Sequence, residues 1–161
     1  MAQENKLVQD VCSFLVEREI ITHKQAEDWQ KAFETSGVES FANFLLEENL
    51  IEKSHLLEAL SNHYQVPFFD VDGHFFDHML VHRFPKGVLL RHEIIPLLVD
   101  DENILIIVAA VPNDPELLPM LGDYVSYDVR FMVGIARDIC DAVKEFHEEA
   151  LTEVTKDDEP I

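Results

Sequence analysis

The sequence predicts an α+β protein, in which duplicated helical hairpins are followed by a small, largely antiparallel sheet with helices on one face. Three observations predict this class. Apolar residues recur at helical spacing through the first 65 residues. The stretch FLVEREII at 14–21 returns as FLLEENLI at 44–51, 30 residues later. After Gln65 the chain changes to short β-branched or aromatic runs that are separated by turn residues.

Four helices are predicted in the first part of the chain, which forms a duplicated helix-turn-helix subdomain over residues 1–65. Apolar spacing places them at about 5–16, 24–34, 39–48 and 54–64. Thr22 followed by Gln25 has the spacing of a capping box that opens the second helix. The repeat indicates two similar hairpins that can cover each other's apolar faces, and two unrelated amphipathic hairpins are the alternative.

The second part is predicted as an α/β subdomain over residues 66–151, followed by an acidic, flexible tail at 152–161. Strands are expected at four short runs: VPFFDVD (66–72), EIIPLLVD (93–100), NILIIVAA (103–110) and YDVRFMVG (127–134). One short helix is expected between the first two strands, a second at 113–121 and a closing helix at 136–151. Helices on one face of a small sheet fit this order best.

The chain is strongly acidic, since 32 Asp and Glu residues against 12 Lys and Arg give a formal net charge of −20. Such a surface repels DNA, RNA and anionic lipids, so nucleic acid is excluded as a partner and basic or apolar protein surfaces are favoured. No segment resembles a signal peptide or a membrane span, which predicts a cytoplasmic protein without direct membrane insertion. Cys12 and Cys140 lie in apolar helical patterns and are expected to be buried free thiols.

The residue patterns predict no catalytic residue and no cofactor. Glu17 and Glu47 could be imagined as an acid and a base, but solvated carboxylates at helix ends fit their repeat positions better. His78 and His82 stand four residues apart and are the candidate ligands if a metal binds. The alternative is a short surface helix with both histidines on its wet side, and no metal is predicted overall.

The order of these segments resembles the amino-terminal domain of type II secretion and type IV pilus assembly ATPases, often called the MshEN domain. The resemblance rests on FLVEREIIT, FLLEENLIE, LLEALSNHYQVPFFDVD, RHEIIPLLVDDENILIIVAAVPNDPELL and the helix after VRFMVGI. In that family the repeats can form a binding site for cyclic di-GMP, with Arg-Leu-Gly opening each repeat, a Gly before a Leu-Ile pair and a closing Gln. The resemblance places that pocket at eight positions: Asp10, Cys12, Glu19, Phe33, Ser40, Ala42, Asn49 and His63.

The side chains at these eight positions differ from the family's pattern. Asp10-Val11-Cys12 and Ser40-Phe41-Ala42 replace the two Arg-Leu-Gly motifs, Glu19 and Asn49 replace the internal glycines, and Phe33 and His63 replace the glutamines. Arg supplies a forked donor for phosphate, whereas Asp10 in its place would repel a phosphate. The apolar positions of the repeat are kept, so the fold is expected to persist where the nucleotide motif does not.

The resemblance therefore implies a non-catalytic regulatory or docking module that binds a protein partner, such as a secretion or pilus assembly component. Packing in the core or within the hairpin is the favoured role of Trp29 and Phe33, and contact with a protein partner is the alternative. A cyclic di-GMP sensor with an atypical pocket is the alternative function, for which Arg18, Lys24 and Lys53 could supply positive charge. The GxxxxGK[ST] phosphate loop of the family's ATPase does not occur in these 161 residues. An excised domain and a free-standing relative both fit.

Overall fold

The structure, a computed structural model, describes the backbone of residues 2–158 and the side chains of residues 4–147. The chain divides into two compact units, Met1–Gln65 and Val66–Ile161. The first unit contains α1 (Ala2–Glu17), α2 (His23–Ser36), α3 (Phe41–Glu47) and α4 (Lys53–Tyr64). The second contains α5 (His78–Val81), α6 (Lys86–His92), β1 (Ile94–Val99), β2 (Ile104–Ala109), α7 (Leu117–Leu121), β3 (Asp128–Val133) and α8 (Ala136–Asp158). The predicted α+β class is confirmed.

Local sequence signals set the bounds of α2. Thr22 and Gln25 form the predicted capping box, in which the Gln25 N–H donates to Thr22 Oγ1 (3.1 Å) and the Thr22 N–H donates to Gln25 Oε1 (2.9 Å). The helix ends at Ser36 because Gly37 takes the left-handed conformation, with a φ of 78°. The core of the first unit includes large, completely buried apolar side chains from α1, α3 and α4: Leu15, Phe41, Leu45 and Leu56.

The second unit is built around a three-stranded sheet in the order β1–β2–β3. β1 and β2 pair antiparallel, whereas β2 and β3 pair parallel, so the sheet is mixed. α7 lies in the connection between the two parallel strands, which need a crossover rather than a hairpin. The register of the antiparallel pair shifts between Pro96 and Leu98, where Leu97 is an extra residue. α8 packs against α5, α6 and β1, and the apolar core of this unit lies among these elements.

The predicted strand at 66–72 is wrong. All of these residues are described and they form no strand of the sheet, although Phe68 makes an isolated parallel bridge to the last residue of β3. Two features of the segment explain this. Pro67 has no amide N–H to donate to a ladder. Asp70 Oδ1 accepts a hydrogen bond from the Asp72 N–H (3.1 Å), which turns the chain away from an extended path.

Two helices of the second unit differ from the prediction. α6 is an additional short helix that begins after Pro85, and its seven residues are too few to show a clear helical period. α8 continues to Asp158, whereas the predicted helix ends at Leu151 and gives way to a flexible tail. No Gly or Pro occurs at 152–158, so the sequence contains no signal that ends the helix earlier. Residues 159–161 of the predicted tail lie outside the described residues.

Gly134 allows close packing at the end of β3. A Cβ added at this position would lie 2.6 Å from Val108 Cγ1 on β2 and 3.3 Å from Ile139 Cδ1 on α8. The first of these distances is too short for any side chain, so the position requires a residue without a Cβ.

The two cysteines are free thiols. Cys12 is buried, as predicted, whereas Cys140 is only half-buried. The pKa of each thiol is raised above its usual value, mainly by burial. Because the thiolate is the reactive form, neither cysteine is an activated nucleophile. Among the described helices, none combines the length and the apolar content that a bilayer crossing requires.

Candidate functional site

The chain turns after α1 and after α3 have the same backbone structure. Glu19 has a φ of 60° and Asn49, its counterpart 30 positions later, has a φ of 53°. Three equivalent backbone hydrogen bonds close each turn: Arg18 N to Phe14 O (3.1 Å), Glu19 N to Val16 O (3.0 Å) and Ile20 N to Leu15 O (2.9 Å), then Glu48 N to Phe44 O (3.1 Å), Asn49 N to Leu46 O (3.1 Å) and Leu50 N to Leu45 O (3.0 Å). This pattern is a Schellman motif, and its recurrence extends the repeat from sequence to backbone.

Glu19 and Asn49 stand where the family's pattern has its internal glycines, and both take the left-handed conformation that a glycine takes most easily. Asn tolerates this region better than other residues that carry a Cβ, whereas Glu is held there at a cost of about 1–2 kcal/mol. The backbone of both turns therefore fits the family's pattern although the side chains do not.

Asp10 and His63, two of the predicted pocket positions, contact each other. His63 Nδ1 lies 2.7 Å from Asp10 Oδ2. The His63 side chain is 10% exposed and the Asp10 side chain is 38% exposed, so the contact is partly shielded from water. Asp10 lies on α1 and His63 on α4, and α1 packs mainly against α4. The two groups that replace the family's Arg and Gln are thus engaged with each other rather than directed at a ligand.

Tyr64 and Glu4 are close to this pair and were not found by sequence reasoning. The His63 and Tyr64 rings meet edge to face, with centroids 4.6 Å apart. Burial, with a smaller contribution from the Glu4 carboxylate, raises the pKa of Tyr64 to about 12. Glu4 Oε1 also accepts a hydrogen bond from the Phe41 N–H (2.7 Å), at the start of α3. No local motif indicates the contacts of Glu4, because they join it to residues that are distant in the sequence.

Three further pocket positions, Ser40, Phe33 and Ala42, offer little to a polar ligand. Ser40 is the N-cap of α3, and its Oγ accepts a hydrogen bond from the Asn43 N–H (3.3 Å). Phe33 packs against two phenylalanines of α3, with ring centroids 5.2 Å from Phe41 and 5.6 Å from Phe44. Ala42 is half-buried and offers no polar atom on its side chain.

The predicted partner contacts are only partly accessible. Phe33 is half-buried because it belongs to the aromatic cluster with Phe41 and Phe44. Trp29 is half-buried as well. Phe33 therefore has a packing role, and contact of either residue with a partner stays a prediction.

A groove of about 290 Å³ lies between α1 and α2. Cys12, the second predicted pocket position of the first repeat, lines it together with Glu17, Glu27, His23 and Gln30. The carboxylates of Glu17 and Glu27 make this groove unfavourable for an anionic ligand.

The two candidate metal ligands do not share a metal-binding group. The His78 ring lies against Phe146, with centroids 5.4 Å apart. His82 stacks on His147 at 4.1 Å, and His82 Nε2 lies 3.0 Å from the His147 carbonyl oxygen. Among the described residues, no group of three metal-binding side chains includes either histidine.

The second unit has an apolar groove that sequence reasoning missed. Its volume is about 620 Å³, and we call it the Met79 groove after its most exposed apolar side chain. It is lined by residues of α5, β1 and the segment before β3: Asp77, Met79, Leu80, Arg83, Leu97, Leu98, Val99 and Tyr127. Met79 is 82% exposed and Leu98 is 44% exposed. The Arg83 guanidinium lies over the Tyr127 ring, 5.8 Å from its centroid.

The protein is therefore of the class in which a helical repeat is followed by an α/β unit with a mixed sheet. The sequence matches the MshEN domain family over residues 64–153, which is more than half of the chain. The chain belongs to the MshEN domain family, as the resemblance implied. The matched range covers the second unit as far as residue 153 and does not contain the two repeat turns.

Solved structures share the fold at low sequence identity. The structure of MshE with cdg superimposes with a TM-score of 0.62 at 19% identity, over 84% of this chain and 97% of that chain. The amino-terminal domain of XpsE superimposes with a TM-score of 0.58 at 18% identity, over 86% of this chain and 94% of that chain. No curated protein sequence matches.

Proposed function

We propose that this chain is a non-catalytic docking or regulatory domain that binds a protein partner in the cytoplasm, such as a component of secretion or pilus assembly. The observation that carries the proposal is that side chains at the repeat's ligand positions are engaged in contacts within the protein. Asp10 and His63 contact each other at 2.7 Å, and Ser40 caps α3. A nucleotide would have to replace these contacts, and it would meet an anion where the family's pattern has an arginine. Membership of the MshEN family supports the link to secretion and pilus ATPases.

The Met79 groove is the surface that supports docking best. A methionine side chain that is 82% exposed is a large apolar surface in contact with water, and Leu98 extends it. The chain as a whole carries a net charge of −20, which attracts a basic partner and repels an acidic one. The partner that fits is a protein segment with apolar side chains for the groove and Lys or Arg residues around them.

Binding to the cytoplasmic segment of an inner-membrane assembly component from the same organism tests this proposal. Met79→Glu should weaken binding by about tenfold or more, because it places a charge at the apolar centre of the interface. Leu118→Glu is the matched control, since Leu118 is also apolar and exposed but lies on α7, outside the groove. Equal partner affinity for the Met79→Glu variant and the parent would show that the Met79 groove is not the docking surface. If the parent itself does not bind, the result counts against the proposed partner.

A cyclic di-GMP sensor is the second candidate function. The left-handed turns at Glu19 and Asn49 favour it, because they keep the backbone shape for which the family's pattern uses glycine. The superposition on MshE, whose structure was solved with cdg, gives a second reason to test it. Calorimetry with cyclic di-GMP should give no saturable heat if the docking proposal is correct. Heat that saturates at one site, and is lost in Lys24→Ala or Lys53→Ala, would favour the sensor.

A further inference from the structure

Three metal-binding side chains converge in the second unit, at the end of the β1–β2 ladder. His92, Asp114 and Glu116 each offer one ligand atom, and these atoms all lie within 4.8 Å of one another. His92 and Asp114 are half-buried, whereas Glu116 is exposed. Within residues 4–147, whose side chains are described, no other group of three His, Cys, Asp or Glu side chains brings its ligand atoms this close together.

The fold brings these residues together from separate parts of the chain. His92 is the last residue of α6, two positions before β1. β1 and β2 pair with Ile94 opposite Ala109, and the ladder continues with a hydrogen bond from the Ala110 N–H to the Glu93 carbonyl (3.1 Å). His92 directly precedes Glu93, and the turn that carries Asp114 begins at Val111, directly after Ala110. The hydrogen bond between Ala110 and Glu93 therefore brings the end of α6 close to the turn before α7.

The turn before α7 orients the two carboxylates. The Asp114 N–H donates to the Val111 carbonyl (3.1 Å), which closes the turn. Asp114 Oδ1 accepts a hydrogen bond from the Glu116 N–H (3.0 Å), so one carboxylate oxygen holds the loop. The second oxygen of Asp114 is not part of this hydrogen bond. Pro115 between them restricts the backbone further.

The set of ligands indicates the class of ion. One imidazole nitrogen and two carboxylate oxygens suit a divalent transition metal such as Zn²⁺, whereas Ca²⁺ and Mg²⁺ prefer oxygen ligands alone. Two ligands at about 2.1 Å from one ion can be at most about 4.2 Å apart, so small side-chain rotations would close the group around it. We propose that His92, Asp114 and Glu116 bind a divalent transition-metal ion that links the end of α6 to the start of α7. Three protein ligands leave a position for water or for a side chain of another protein.

Calorimetric titration of the full chain with Zn²⁺, after treatment with a chelator, tests this site. The parent should bind one equivalent, and His92→Gln and Glu116→Gln should each weaken that binding by about 100-fold. Glu116 is exposed, so its replacement leaves the fold intact and keeps the test valid if the His92 variant is unstable. Folding of each variant is checked by circular dichroism.

His23→Gln is the control, because His23 is an exposed histidine in the first unit. It should leave the Zn²⁺ affinity unchanged. Equal affinity for the parent and Glu116→Gln would overturn the proposal, as would a loss of binding in His23→Gln as large as in His92→Gln. The second outcome would mean that Zn²⁺ binds surface histidines without a defined site.

Discussion

Replacing Glu19 with glycine should stabilise the first unit. Glu19 has a φ of 60°, and a residue with a Cβ in the left-handed region costs about 1–2 kcal/mol relative to an ordinary helical conformation. Glycine removes that cost but adds about 0.5–1 kcal/mol of backbone entropy to be lost on folding. The difference predicts a gain of about 0.5–1 kcal/mol in the free energy of unfolding. This gain is a factor of about 2–5 in the equilibrium constant.

Denaturant unfolding followed by tryptophan fluorescence measures this change. Trp29 is the only tryptophan in the sequence and lies on α2, so its signal reports on the first unit. Asn49→Gly should give a smaller gain, because asparagine already tolerates the left-handed region.

Glu17→Gly is the matched control for the turn. Glu17 is an exposed glutamate at the end of α1, two residues before Glu19, and it has no positive φ. Its replacement should destabilise the unit by about 1 kcal/mol, since glycine is a poor helix former. A destabilisation of the same size in Glu19→Gly would refute the left-handed turn and the backbone repeat that rests on it.

Three further predictions follow from contacts described above. Asp10→Asn and His63→Gln should each lower the free energy of unfolding by about 1–3 kcal/mol. A double-mutant cycle should give a coupling energy of about 0.5 kcal/mol or more between the two side chains. Additive losses would show that the two side chains do not interact. Gly134→Ala should destabilise the second unit by about 1–3 kcal/mol. Gly122→Ala, whose Cβ would lie 3.5 Å from the nearest atom, should have little effect, and equal effects would contradict the close packing at the end of β3. Burial raises the pKa of Tyr64 from 10.0 to about 12, so the stability contributed by its neutral phenol is present below pH 10 and is lost as the pH rises towards 12. Tyr64→Phe should remove this alkaline dependence, and ultraviolet titration in which every tyrosine ionises near pH 10 would disprove the shift.

Features with a local cause could be predicted from the sequence. The capping box at Thr22 depends on two residues three positions apart, and the structure forms it as expected. The repeated helices have a clear apolar period, and the repeat predicted two similar helical hairpins. The runs that became β1, β2 and β3 are continuous and β-branched, so their type was clear even without their partners.

Features that depend on distant residues could not be predicted. A strand at 66–72 looks plausible by composition, but a strand requires a partner, and Phe68 makes only a single bridge. The contact between Asp10 and His63 joins residues 53 positions apart. In the sequence, each of them is an altered ligand position. Only the packing of α1 on α4 shows that the two side chains contact each other. The Met79 groove was missed for the same reason, because β1 and α5 meet only in the fold.

The irregular edge of the sheet limits how another protein can bind to it. β1 is an edge strand of the described sheet, and Pro96 together with the extra residue Leu97 interrupts its regular pairing. Proline cannot donate a main-chain hydrogen bond, and a bulge tilts the groups beside it, so an incoming strand would find no continuous ladder here. Recognition along β1 would therefore depend on side chains such as Leu98, and copies of the protein would not polymerise by joining sheets through this strand.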